Sequence, residues 1–386
     1  MSRTVVRLSA RDYNATITPA QLNSQVQGNS NRNLIINGAM NVAQRATSAT
    51  GIGTTAAYNT VDRWRFADLN NPPARFTQTQ STDAPDGFSS SHKFEVTTND
   101  SSVDDDEMQF TDQFIEAQNL QLLKYGTSSA VSITLSFYVK SSVASTMGLR
   151  INHEDGGGNY GASYTINSVN TWERKSITVP GNTATAINND NGKGLRIGFA
   201  LSAGADYAGS NSTAWGNGNT FGAHTNTFVG TSSATWQITG VQLEIGSNAT
   251  EFEHETFDTT LIKCQRYYQI IGRDFSDTTP TTAFGWGYTV DGSAAQGMLQ
   301  FERRMRTKPT FTQSTDQNLD IRTNTGAGAV HASNAFTSIV TSETSAEFTQ
   351  QNHAGTFGGG GQPYFLKWNG VQGTGLTANV LLVAEL

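Results

Sequence analysis

The chain has 386 residues, more than one ordinary hydrophobic core accommodates, so two or three domains are expected. Only 15% of residues are charged, the net charge is −7, and glycine, serine, threonine and asparagine abound; this mixture suits short strands with polar turns and argues against long helices. Aromatic residues at 10% argue against a disordered chain, and the single cysteine, Cys264, excludes an intrachain disulfide, so stability must come from burial, a metal or assembly with other chains.

Residues 1–31 read as a polar, extended arm with a β-like piece at Thr4–Leu8 and a helical turn starting at Thr18-Pro19. It has no apolar run of signal-peptide or membrane-span length, so synthesis in a cytosol and no membrane insertion are expected. Before Asp62 the only acid is Asp12, against Arg3, Arg7, Arg11, Arg32 and Arg45. Such an arm has too few apolar residues for a core and is expected to order on a partner, with Arg3, Arg7 and Arg11 as the anchoring charges. It lacks the dense cations and interleaved aromatics that track phosphates, so nucleic acid is not the expected partner.

From residue 33 the pattern becomes strand-like. Asn33–Gly38 reads as a buried strand and Tyr58–Phe66 alternates apolar and polar. Further strands are expected at Ala130–Lys140, Met147–Asn152, Trp172–Val179, Gly194–Leu201 and Thr235–Glu244, with a short helical crossover at Asp112–Leu123 and a large loop over 203–234. Residues 32–255 therefore form an antiparallel β-sandwich or jelly roll, with Trp64, Trp172 and Trp236 in its core. Residues 256–270 read as a joint in which Leu261, Ile262, Cys264, Tyr267, Tyr268 and Ile270 pack under a second domain, Cys264 being a small core residue and not a nucleophile. Residues 271–386 form a second, smaller β-sandwich, with strands at Ala283–Val290, Ala295–Phe301, Thr310–Thr312, Ala346–Phe348, Pro363–Trp368 and Ala378–Leu386. The fold class is all-β, and the lack of a fixed-period repeat argues against a propeller or solenoid.

Catalytic constellations are not evident. His92, His153, His224, His254, His331 and His353 are scattered without metal-ligand spacing, Cys264 has no CxxC partner, and Gly358–Gly361 reads as a flexible loop. The acids of His153-Glu154-Asp155 and Asp104–Glu107 read as solvated loop carboxylates, so no enzyme is expected. Sugar recognition needs an exposed aromatic platform with amide and carboxylate neighbours. The candidates in Gly/Asn-rich contexts are Tyr160, Tyr164, Tyr207, Trp215 and Phe221, with Asn217 nearby; Trp215 leads, although it could equally pack on a neighbouring subunit. Asn37 and Glu244 are the candidate oxygen ligands for a hard cation if their strands pair, the alternative being that Glu244 bonds locally.

Four stretches, "NLIINGAMNVAQRA" at 33–46, "YNTVDRWRF" at 58–66, "LSFYVKSS" at 135–142 and "VQLEIGSNATEFEHETFDTTLIKCQRYYQ" at 241–269, resemble in order and spacing tailed-bacteriophage virion proteins, chiefly tail-fibre and related receptor-binding proteins. The resemblance runs from residue 33 to about 310. It implies a first domain similar to carbohydrate-binding, galactose-binding-like jelly rolls, which often hold a structural calcium ion; no other cofactor is required. It also implies a homotrimer on the tail or outer surface of a virion, made in the host cytoplasm, joined to another virion protein through residues 1–31, and contributing to recognition of host-surface glycan. A capsid-decoration or head-fibre protein and a polysaccharide-degrading tail enzyme remain the alternatives.

Overall fold

A computed structural model describes residues 32–218, 220–271, 283–291, 294–313, 319–323, 330–332, 337–351, 360–361, 363–368 and 380–386. The arm, with Arg3, Arg7 and Arg11, lies outside the described residues. The chain is all-β, and Asn33–Leu386 form one compact unit.

Eleven strands build the first sandwich: β1 (Ser48–Ile52), β2 (Arg65–Leu69), β3 (Arg75–Ser81), β4 (Ser91–Thr98), β5 (Met108–Glu116), β6 (Ile133–Ser141), β7 (Thr146–His153), β8 (Gly158–Thr165), β9 (Glu173–Val179), β10 (Lys193–Ala203) and β11 (Thr235–Ile245). They form a six-stranded sheet, β1-β3-β4-β11-β6-β9, and a five-stranded sheet, β2-β5-β10-β7-β8, antiparallel throughout. Period-two alternation turns one face of each sheet inward. Phe76, Phe94, Trp236 and Leu243 of the first sheet therefore meet Phe66, Leu149, Ile197 and Phe199 of the second in one core.

Several sequence expectations change here. Asn33–Gly38 is a turn and not a strand; it lies beside β11, where the Leu34 amide donates to the Leu243 carbonyl at 2.9 Å. Only the end of Tyr58–Phe66 is strand, because β2 starts at Arg65. Asp112–Glu116 belong to β5, and only Ala117–Leu123 coil, as a 3-10 helix. All nine residues of β5 are buried, so polar and apolar residues alike face covered surfaces and no alternation survives in the sequence. Trp64 and Trp236 are fully buried as expected, whereas Trp172 is half-buried before β9 and donates from Nε1 to Asp83 at 3.3 Å. It fails to enter the core because β9 is an edge strand whose residues are mostly partly exposed.

The joint contains helix α1 (Phe257–Gln265). Thr256 caps it by accepting from the Thr259 amide at 3.3 Å, while Asp258 and Lys263 lie at the ends that suit the helix dipole. Cys264 is completely buried on this helix, and burial pushes its thiol pKa well up.

The second sandwich comprises β12 (Tyr268–Ile271), β13 (Ala283–Thr289), β14 (Ala294–Gln300), β15 (Thr310–Gln313), β16 (Leu319–Thr323), β17 (Val330–Ala332), β18 (Thr337–Thr341), β19 (Ser345–Gln351), β20 (Pro363–Trp368) and β21 (Val380–Val383). A three-stranded sheet, β12-β21-β15, supplies Ile271, Val380 and Leu382 to the core; a seven-stranded sheet, β17-β16-β20-β13-β14-β19-β18, supplies Leu299, Phe348 and Tyr364. The expected strand start at Ala378 lies outside the described residues.

Candidate functional site

The loop aromatics expected to form a sugar platform are turned inward. Tyr160 and Tyr164 lie on β8 facing the first core, where the Tyr164 hydroxyl accepts from Trp236 Nε1 at 3.0 Å. Phe221 is fully buried, 5.7 Å from the Phe110 ring, and half-buried Tyr207 packs on the same small cluster. Trp215 is half-buried, donates to the Pro180 carbonyl at 2.7 Å and meets Tyr125 edge-on. Asn217 alone of the six is exposed. The physical reason is close approach: a Cβ on Gly161 would lie 2.9 Å from the Phe221 backbone, and one on Gly148 would lie 2.7 Å from Phe221 Cβ. These glycines let the 203–234 loop descend onto the five-stranded sheet. There Phe221 and Phe110 enclose the Arg150 guanidinium at 4.5 and 4.4 Å, and burial, with Arg196 nearby, pushes the Arg150 pKa down to about 9.

The candidate cation ligands are each engaged elsewhere. Asn37 donates to the carbonyls of Val42 and Asp62 at 2.9 and 3.0 Å, and its oxygen accepts from the Val42 amide. Glu244 accepts from the amide and hydroxyl of Thr250 at 2.8 and 2.7 Å. The Asn33–Gly38 segment does run beside β11, but as a turn it gives the Asn37 amide to its own loop. Among the described residues no group of three His, Cys, Asp or Glu side chains is placed to hold a metal.

Several of the carboxylates and histidines weighed for catalysis have structural partners, while the side chains of His331 and His353 lie outside the described residues. Glu154 pairs with Arg196 at 3.0 Å, and Asp155 accepts from Asn188 at 2.7 and 3.0 Å. Burial drives His92 down to about 3 and His224 down to about 4. His92 lies 2.6 Å from Gln78, and His224 accepts from the Gly148 amide at 3.1 Å.

An exposed aromatic face occurs instead in the second sandwich. On β13, Trp286 and Tyr288 point to the same side of the sheet, with 58% and 49% of their surface exposed. Register places Met298 of β14 and Glu347 of β19 in line with Trp286, and Gln296 and Thr349 in line with Tyr288. Val340 of β18 extends the Trp286 row and is 65% exposed. These residues line an open cavity of about 460 Å³. With strands about 4.8 Å apart, the row from β13 to β18 spans about 14 Å.

The opposite face explains the orientation. Gly287 pairs with Gly297, and a Cβ on either would approach the Tyr364 hydroxyl to 2.6 Å. Tyr364 and Phe348 fill the space that side chains there would take, so the bulky residues of β13 occupy the other side. Tyr288 donates its hydroxyl to Gln296 Oε1 at 2.8 Å, which orients the exposed amide without using its N–H groups. Glu347 presents an exposed carboxylate between Met298 and Val340.

Trp286, Tyr288, Gln296 and Glu347 were not among the residues singled out in the sequence. The signal was present in "GWGY" at 285–288: glycine alternating with aromatics marks one closely packed face and one face carrying rings.

No protein-family model matches the sequence, and no curated protein matches it significantly. Among solved structures, the enzymatically active domain of tailspike protein 4 from bacteriophage CBA120 superposes with a TM-score of 0.27 at 15% identity, covering 55% of this chain and 21% of that one. TmCBM61 in complex with β-1,4-galactotriose gives a TM-score of 0.27 at 10% identity, covering 55% of this chain and 99% of that one. The family 11 carbohydrate-binding module of Clostridium thermocellum, bound to a mixed-linked tetrasaccharide, gives 0.25 at 13% identity and covers 53% and 99%. Superpositions this partial transfer no chemistry to the present chain.

Proposed function

We propose that the protein is a noncatalytic, glycan-binding component of a tailed-phage virion, a tail fibre anchored by residues 1–31 that meets host-surface glycan through the Trp286–Tyr288 face. The observation that carries this reading is the exposed pair of rings on one sheet face beside Gln296 and Glu347. Aromatic faces cover the apolar faces of sugar rings, while amide and carboxylate groups bond their hydroxyls. The four sequence stretches that resemble tail-fibre proteins support the virion setting. A noncatalytic role is favoured because Glu347 is the one carboxylate among the described residues lining the cavity, and glycoside hydrolysis ordinarily uses two. Assembly as a homotrimer would present three such faces and convert weak single contacts into avid attachment.

The test uses the full chain and its Trp286→Ala variant on host cells and on polysaccharide extracted from them. Loss of the ring is expected to weaken binding on the order of tenfold or more. Trp286 is exposed, so thermal stability should change little. Equal binding by the two proteins would defeat the assignment of this face, and release of reducing ends would defeat its noncatalytic part.

A further inference from the structure

We infer that the Trp286–Tyr288 face selects uncharged polysaccharide over polysaccharide bearing carboxylate, sulfate or phosphate groups. This rests on the glycan-binding reading and adds the chemical class of the ligand.

The face is divided lengthwise. One row, Trp286, Met298 and Val340, is apolar except for Glu347; the parallel row, Tyr288, Gln296 and Thr349, is polar and uncharged. A sugar chain lying across the strands can rest its C–H faces on the first row and direct hydroxyls to the second. Glu347 sits within the apolar row, where its oxygens accept hydrogen bonds and can only repel an anion.

Among the described residues that line the cavity none is a cation that could offset this repulsion. Arg304 is ion-paired with Glu343 at 2.5 Å. An acidic sugar set over β14 and β19 would therefore be desolvated beside a carboxylate with no cation among the described lining residues to receive it.

The full-length protein, its Trp286→Ala variant and its Glu347→Gln variant would be titrated with two sets of probes. Dextran, galactan and xylan are uncharged; alginate, polygalacturonate and hyaluronate are acidic. The wild type is expected to hold at least one uncharged probe in a Trp286-dependent way, roughly tenfold or more above any acidic one. Glu347→Gln should narrow that ratio severalfold, from both sides, since a hydroxyl acceptor is weakened and a repelling charge is removed. Raising salt should leave binding of the uncharged probe unchanged. Trp286-dependent binding stronger for an acidic probe, or a ratio indifferent to Glu347→Gln, would overturn the inference while leaving the glycan-binding face in place. Binding that is indifferent to Trp286→Ala on every probe would remove the face itself, and the inference with it.

Discussion

Glu116 ends β5 with its carboxylate fully buried, accepting from Arg266 at 2.7 and 2.8 Å, from the Tyr267 hydroxyl at 2.5 Å and from Gln118 at 2.6 Å. Burial alone would raise its pKa, but the bonds from Arg266 and Tyr267 outweigh it and hold the acid below its ordinary value. A carboxyl group with a depressed folded pKa contributes stability above its unfolded pKa and loses it as pH falls. Glu116→Gln is therefore expected to cost about 2 to 3 kcal/mol at pH 7, with the difference from wild type shrinking below about pH 4. Urea unfolding at the two pH values checks this, and a penalty independent of pH would show that shape, not charge, is what matters there. His92 adds to acid lability with the same sign. Its ring is completely buried and its pKa is pushed down to about 3, so stability is lost as pH falls from its unfolded pKa near 6.5 towards that value. The imidazole proton shifts of His92 should stay those of a neutral ring at pH 5; titration near pH 6.5 would contradict its burial.

At the scale of elements, β13 and β14 depend on what their inward faces lack. Gly297→Ala would place a Cβ 2.6 Å from both Phe348 Cζ and the Tyr364 hydroxyl, with the Trp286 carbonyl at 2.9 Å. The expected cost is about 1 to 3 kcal/mol in denaturant unfolding, together with weaker binding at the Trp286 face as the sheet shifts. An unaltered midpoint would mean that Tyr364 yields without strain. These strands also show what the sequence could disclose. Gly194–Leu201 alternates and became β10, and Thr235–Glu244 became β11 although its period slips where the register shifts between Thr239 and Gln242; the apolar positions of both pack on the core. β5 stayed hidden because polar and apolar residues share both of its covered faces: Asp112 lies on the side of Phe110 and Phe114, and Gln109, Thr111 and Gln113 on the side of Ile115, all of them buried. The site was misplaced for a related reason. Loop composition suggested that Trp215 and Phe221 were exposed, yet Phe221 is admitted by glycines at 148 and 161 and Trp215 is held by the Pro180 carbonyl, all far away in sequence. Local pattern carries the period of a strand but not what tertiary packing lays over it.

The molecule as a whole is two sandwiches whose charges interlock. Glu385, near the end of the chain, accepts from Arg63 and from Arg45 of the first sandwich, the latter at 3.1 Å. Arg63 is almost wholly buried, donates to the Phe114 carbonyl at 2.8 Å and lies 3.5 Å over the Tyr267 ring, while Arg45 lies 3.7 Å over Tyr268. Arg306 of the second sandwich reaches the Asn191 carbonyl at 2.9 Å, so the contact is made from both sides. Such an arrangement should make the second sandwich, whose described core is the smaller, melt together with the first. Removing the Glu385 charge leaves Arg63 buried without its anion, a loss of roughly 3 to 5 kcal/mol concentrated at the contact. Glu385→Gln is therefore expected to split a single calorimetric transition into two, the lower one belonging to residues beyond the joint. Arg304→Ala is the control, because its pair with Glu343 is exposed and worth about 1 kcal/mol at most. If Glu385→Gln instead lowers one undivided transition, the sandwiches are held by their apolar contact and the ion pairs only orient it. A transition unchanged in both shape and temperature would show that the pair contributes to neither.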